Sequence, residues 1–547
     1  MKSLAQHLKT NWLKLAVILF LALPAFVASR SGSGENRQLA SLPDFPASWA
    51  RALEAPRQLD AWVNDHFGFR YYLVRLDARA RYALFRDFTS KQVIEGPNGR
   101  VYVSSHDKSF PPYSAITRVC SFTDNAPDHA IYYVNQMFID FQQRGMHPQL
   151  LIAPSSPVIE YRDLPPWLRQ RCAGTDTPVN RVLQSPKLDE EARKAIFYPL
   201  AEMRAINSQT DLFPKTWFHW SGPGLASIVD LSVEKITKQK APKVSALPTR
   251  EFTMGSDVPS MLAGVPLPSE VLKPDFASSG IAACSGPSCF PELGTAAAKI
   301  ADLSRFGNPS APIKRRLLLL SDSFGAGIAG YYARDYATVE HIAGNNLTRL
   351  DDEENRRLQQ LIFRDPATTD VIVLFHDGGA IYDTLEDDLA RLVEPASQAP
   401  ALDAAQYRPL AQEIYLALLG RAADPKGLDN LSALLAVARV PPDMEEFAAA
   451  YVKNRKVRHI VDSFSNSAEA RRANVENTAA FVSTAYAKMF GRKPAFDELS
   501  HWVNAIDKDK LNRGQAKLLI MAQAVGKKTA QNEADADLVS KKISSST

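Results

Sequence analysis

LLLLSDSFGAG (residues 317–327) poses the fold problem of this 547-residue chain: four consecutive leucines run straight into Ser-Asp-Ser and two spaced glycines. A short apolar run that stops in small polar residues reads as a strand buried on both faces of a parallel sheet, with its functional loop at the carboxyl end. Two readings of Ser323 stand side by side. It is a nucleophile on a strand-to-helix turn that Gly325 and Gly327 make tight, with free N–H groups facing an acyl oxygen; or the Ser-Asp-Ser run caps a helix over residues 327–336.

The same pattern recurs on either side. YYVNQMFIDFQQRGM (residues 132–146) places Val134, Met137, Phe138 and Phe141 on one helical face, and LLIA follows as a buried strand. DVIVLFHDGG (residues 370–379) is another apolar run ending in polar residues and glycine. Residues 55–390 therefore read as one α/β domain with a parallel sheet flanked by helices. Between residues 240 and 310 the pattern breaks into Pro, Gly and Ser, as a surface insertion would.

VEPASQAPALDAA (residues 393–405) marks a linker over residues 391–405, and the chain beyond it is helical and repeated. At an offset of 71, YLALLGR (residues 415–421) falls on YAKMFGR (486–492), Leu428 on Leu499, Leu431 on Trp502, Leu435 on Ile506 and Phe447 on Leu518. Residues 406–525 form an all-α domain of two related units whose aromatics are core, with Gly420 and Gly491 as helix stops. Residues 526–547 read as a polar, disordered tail.

With 45% apolar and 23% charged residues the chain is ordinary globular protein, and its formal charge of +4 comes without a dense basic stripe interleaved with aromatics. Nucleic acid is excluded as a partner on that ground. The first 30 residues place Lys2, Lys9 and Lys14 before fourteen uncharged residues, 15–28, which is an export signal: a cleaved signal peptide or, extended by Trp12, Leu13 and a snorkelling Lys14, a membrane anchor. Cys120, Cys172, Cys284 and Cys289 suit two disulfides in an oxidising compartment, with three pairings open and a local closure of Cys284 with Cys289 among them. No clustered ligand set indicates a metal, and none is expected; no cofactor is expected either.

Several stretches, in order, resemble the AlgX/AlgJ branch of the SGNH-hydrolase-like proteins, which O-acetylate alginate and related exopolysaccharides in the bacterial periplasm. They are WVNDHFGFR (62–70), VIEGPNGRVYV (93–103), LLIAPSSPVIEYRDLP (150–165), FTMGSDVPSMLAG (252–264) and LLLLSDSFG (317–325), within a resemblance covering residues 58–385. The resemblance implies an SGNH-hydrolase-like sheet with Ser323 as nucleophile. LFPKTWFHWSGPG (212–224) is similar to the family's Asp-Thr-His-Trp block, so His219 carries over as general base with Trp220 beside it. The block's aspartate is missing, Trp217 standing in its place, and the usual lysine of the earlier loop is replaced by Ser155, Ser156 and Pro157. Asp211 is the candidate third member; Asp322, next to the serine, points elsewhere. Gly325, His376, Asp377 and Gly378 are candidates for the pocket or oxyanion loop, against the alternative that HDGG is an ordinary strand end.

What the resemblance implies is transfer of acetyl groups to exopolysaccharide hydroxyls through an acyl-serine, or ester hydrolysis by the same fold, with a membrane-bound acetyl-donor protein as partner. Its alternative is a catalytically decayed member serving glycan binding or assembly, since loss of the triad carboxylate costs a serine protease about four orders of magnitude in rate. The YxxLLGRxxDPxGL pattern at residues 415–428 resembles a helical domain of unknown function akin to phycobilisome-linker repeats, read as a docking module for a polysaccharide or for other polysaccharide-export proteins. In the second copy its Asp and Pro positions have become Ala495 and Phe496. The protein is expected in the periplasm, soluble or anchored to the inner membrane.

Overall fold

A computed structural model describes residues 40–43, 45 and 49–544, apart from 67, 107–110, 123–127, 382–384, 386–387, 390–391, 393–402, 453, 466, 468, 471–476, 509–510 and 527–529. The apolar segment 15–28 and most of the linker lie outside the described residues. Among the described residues no helix is long and apolar enough to cross a membrane. The chain divides into two compact units, Met1–Glu394 and Pro395–Thr547.

The strands of the first unit are β1 (Val93–Glu95), β2 (Val101–Val103), β3 (Pro148–Ala153), β4 (Ile196–Phe197), β5 (Thr249–Gly255), β6 (Pro268–Pro274), β7 (Ala282–Ser285), β8 (Leu303–Gly307), β9 (Ile313–Ser321), β10 (Tyr336–Ala343) and β11 (Thr369–His376). Seven of them form one sheet in the order β4-β3-β11-β9-β10-β8-β7. From β4 to β10 every neighbour pairs parallel, while β8 joins β10, and β7 joins β8, antiparallel.

The four leucines show why this sheet is doubly covered. Leu317 and Leu319 enter one core with Leu151, Ile372 and Leu374; Leu318 and Leu320 enter the other with Leu150, Val371 and Val373. Side chains alternate across a strand, so an unbroken apolar run satisfies two cores at once. All four leucines are fully buried, each contributing about 1.5–3 kcal/mol by removal from water. Helices Asp128–Gln143 and Leu225–Thr237 contribute to opposite cores.

Residues 240–310 are not a surface insertion. They hold the β5–β6 hairpin and two strands of the main sheet, β7 and β8. β7 is four residues long and exposed throughout, and β5 is largely exposed, so neither carries the apolar alternation by which a strand is recognised. Disulfides join Cys120 to Cys172 and Cys284 to Cys289.

In the second unit the two related sequences build the same local device. Helices Arg408–Leu419 and Thr478–Phe490 end on Gly420 and Gly491, at φ of 75° and 72°. That left-handed C-cap suits glycine. The arginine that follows folds back in each copy, Arg421 over Tyr415 at 5.3 Å and Arg492 over Tyr486 at 5.0 Å. The next helix starts differently in the two: Asp424 accepts from Gly427 N–H, whereas Glu498 reaches back to the N–H of Ala495.

Within the tail read from sequence as disordered, the described residues include a helix. Residues Ala530–Ser544 form a helix with Ala536 and Val539 buried and Asp535 paired to Arg492 at 2.6 Å. Its apolar face is only two or three small residues wide, too narrow to stand out in a polar sequence.

Candidate active site

β9 ends at Ser321, and the turn after it carries Ser323 into the helix Gly325–Tyr332. Ser323 does not cap that helix. Its Oγ lies 2.7 Å from His219 Nε2, while the turn is shaped by its neighbour: Asp322 Oδ1 accepts the Phe324 N–H at 2.9 Å. Gly325 allows the turn because a Cβ there would stand 1.9 Å from Ser321 Oγ.

His219 is delivered by a segment locked at both sides. Leu212, Phe213 and Trp220 are buried, and Trp220 Nε1 donates to the Phe324 carbonyl at 2.8 Å, tying the histidine segment to the serine turn. Its other ring nitrogen, Nδ1, lies 2.7 Å from Asp257 Oδ2. A carboxylate accepts only, so Nδ1 carries the proton, and Nε2 of the neutral ring is left as acceptor for the serine hydroxyl. Asp257 also accepts the main-chain N–H groups of Phe218 at 2.8 Å and His219 at 3.0 Å.

Ser323 and His219, paired on sequence grounds, are therefore brought together, and the third member is corrected. Asp211 pairs instead with Arg100 at 3.5 Å, on the far side of a buried guanidinium that also binds Glu160 and Asp163. The carboxylate at His219 comes from the β5–β6 hairpin. Sequence reasoning missed Asp257 because it is 38 residues from the histidine; the available signal was that it is the one charged residue in FTMGSDVPSMLAG. Trp217, in the place of the expected aspartate, donates its Nε1–H to the Gly255 carbonyl at 2.9 Å and so braces the hairpin that holds Asp257.

Ser323, His219 and Asp257 open on a cavity of about 510 Å³, also lined by Trp217, Lys273 and Asp302. Gly325, His376, Asp377 and Gly378 do not line it. Gly325 is buried against Ser321 and His341. His376 Nδ1 binds Asp322 Oδ2 at 2.6 Å; burial pushes its pKa down, and the Asp322 charge and hydrogen bond outweigh that and raise it. Asp377 is buried beside the Ser155 N–H, and burial pushes its carboxyl up to about 6. Gly378 packs on the His376 ring. The reason is directional: the β11 end turns under the serine turn instead of beside its hydroxyl. Among main-chain donors of the turn, Phe324 N–H and Gly325 N–H are spent on Asp322, and Ser323 N–H has no acceptor among the described residues. Among the described residues no group of His, Cys, Asp and Glu is placed to hold a metal.

A family model described as "Domain of unknown function (DUF4214)" matches residues 461–524, within the second unit. No curated protein matches the chain in sequence. Among solved structures the chain is similar to the O-acetyltransferase domain of Pseudomonas putida AlgJ, with 15% identity over 53% of this chain and 92% of that one and a TM-score of 0.32. It is also similar to Bacillus cereus PatB1 with a sulfonyl adduct (13%, 54% and 97%, TM-score 0.36) and to Pseudomonas aeruginosa AlgX (11%, 60% and 71%, TM-score 0.33).

Proposed function

We propose that this chain is an exported polysaccharide O-acetyltransferase that works through an acyl-serine. The observation that carries the reading is the relay Asp257–His219–Ser323, with both contacts at 2.7 Å and the serine hydroxyl in a cavity. His219 Nε2 takes the Ser323 proton as Oγ attacks an acetyl carbonyl; Ser323 N–H, without an acceptor among the described residues, is a main-chain donor for the oxyanion. The proton then passes from His219 to the leaving group, which departs and leaves acetyl-serine. A sugar hydroxyl gives its proton to His219 as its oxygen attacks that ester, and Ser323 is regenerated.

The decayed-enzyme alternative drew on the missing carboxylate at Trp217, and Asp257 removes that ground. Acetylated exopolysaccharide, a membrane-bound acetyl-donor protein and export proteins held by the helical repeats belong to the same proposal, as does a periplasmic location. The test uses the full chain with 4-nitrophenyl acetate as donor and oligosaccharides as acceptor. Acetylated oligosaccharide and a trapped acetyl-Ser323 are expected, and both vanish in Ser323→Ala. Ester cleavage equal in wild type and Ser323→Ala refutes the proposal.

A further inference from the structure

Resting on the acyl-transfer reading, we propose that His376 is a positioning residue for Ser323 and acts through Asp322. A second imidazole–carboxylate pair thus lies directly under the first, where it fixes the turn that carries the nucleophile. The carboxylate of Asp322 is 2% exposed and holds three donors. Oδ1 takes Phe324 N–H at 2.9 Å; Oδ2 takes the His376 main-chain N–H at 2.8 Å and its ring Nδ1–H at 2.6 Å. The Asp322 N–H in turn donates to the Leu374 carbonyl of β11 at 3.1 Å. The end of β11 and the residues on both sides of Ser323 are fastened to one another through a single side chain.

Packing leaves the ring no alternative place. It stacks on Phe324 at 5.2 Å and 15°, and Phe324 touches the rings of His219 at 5.1 Å and Trp220 at 5.5 Å. At Gly379 a Cβ would stand 2.9 Å from His376 Cε1 and 3.2 Å from Asp322 Oδ2, so only glycine closes this side. Loss of Nδ1–H leaves a buried carboxylate short of a donor, a cost that is relieved by movement of Asp322. Ser323 sits between Asp322 and Phe324, which that carboxylate also holds, so such a movement shifts the serine. A displacement of about 1 Å in a reacting group costs about a hundredfold in rate.

The donor, not the ring's volume, is what this role requires, and two variants of the full chain separate them. His376→Asn keeps an amide N–H near the Nδ1 position; His376→Phe keeps a flat stacking ring and no donor. With 4-nitrophenyl acetate, His376→Phe is expected to lose about a hundredfold in kcat with KM little changed, and His376→Asn to recover most of it. Wild-type kcat in His376→Phe, or equal loss in both variants, overturns the proposal. If His376→Phe fails to fold, His376→Gln, whose donor sits one carbon further out, takes its place with the same expectations. A crystal structure of the impaired variant gives a readout independent of turnover: the Ser323 Oγ to His219 Nε2 distance is expected to open beyond hydrogen-bond reach, and retention of 2.7 Å overturns the proposal. Absence of Ser323-dependent turnover in the wild type would instead sink the acyl-transfer reading, and the crystallographic distance still decides the role of His376.

Discussion

Asp257 Oδ2 accepts two hydrogen bonds from His219, the ring Nδ1–H at 2.7 Å and the main-chain N–H at 3.0 Å, from a hairpin 38 residues further along the chain. One carboxylate oxygen thereby fixes both the tautomer of the imidazole and the backbone that aims it. The carboxylate expected two residues before the histidine is replaced by Trp217, whose indole bonds the same hairpin at Gly255. The charge at His219 comes from the loop between β5 and β6, and Trp217 supports that same hairpin.

Asp257→Asn is therefore expected to lower kcat for ester cleavage by about four orders of magnitude, since an amide opposite Nδ1 favours the wrong tautomer. Asp211→Asn, which removes an exposed partner of Arg100, is expected to leave kcat unchanged. Steady-state kinetics on both variants, with circular dichroism to show folding, checks the pair. Equal loss in the two would return Asp211 to the site.

How much of this was legible depended on whether the signal was local. The four leucines and Ser323 announced a parallel strand and its turn because burial on both faces writes itself as an unbroken apolar run. The Gly420 and Gly491 stops were legible because the C-cap needs a residue that tolerates positive φ. Asp257 was illegible because tertiary approach of a hairpin has no period or spacing. His376 was placed at the right strand end and given the wrong neighbour, since sequence does not tell which side of a turn a loop passes. β5 and β7 escaped notice because exposed strands lack apolar alternation.

The two disulfides are expected to rank oppositely for stability and activity. Cys120–Cys172 spans 52 residues and Cys284–Cys289 only 5, which chain-entropy arguments translate into about 4 and about 2 kcal/mol. Replacing the first pair by alanine should lower the melting temperature more. The short loop, however, flanks Ala283 and Ser285 in the cavity lining, so Cys284→Ala with Cys289→Ala should raise KM for the acceptor more. Calorimetry and acceptor kinetics on both double variants give the two rankings.

Asp535→Ala is expected to release the C-terminal helix from the second unit. Asp535 is 3% exposed and takes two hydrogen bonds from Arg492, at 2.8 Å and 2.6 Å. Removing a buried partner of a charged group costs about 1–3 kcal/mol. In the wild type, amides of residues 530–544 should be protected from hydrogen exchange, and in the variant they should exchange close to the rate of an open chain. Fast exchange already in the wild type would restore the reading of these residues as a disordered tail.

His341 is expected to lower stability on mild acidification, against buried carboxyls such as Asp377, raised to about 6, which act with the opposite sign. The ring is fully buried between Ser321 Oγ at 2.7 Å and Ser304 Oγ at 3.3 Å, and burial pushes its pKa down from 6.5 to about 4, against the pull of Asp302 and Asp322. Folded His341 stays neutral where the unfolded residue is already protonated, so the unfolded state binds more protons and stability rises with pH through that window. The contribution is fully present above pH 6.5 and is lost progressively toward pH 4, on the order of 3 kcal/mol in all. His341→Gln keeps a group able to bond Ser321 and cannot titrate, so its stability should fall less toward pH 4 than that of the wild type. Urea midpoints measured at intervals between pH 7 and pH 4 check this, and identical pH dependence in wild type and variant would mean that the ring is not held neutral in the folded protein.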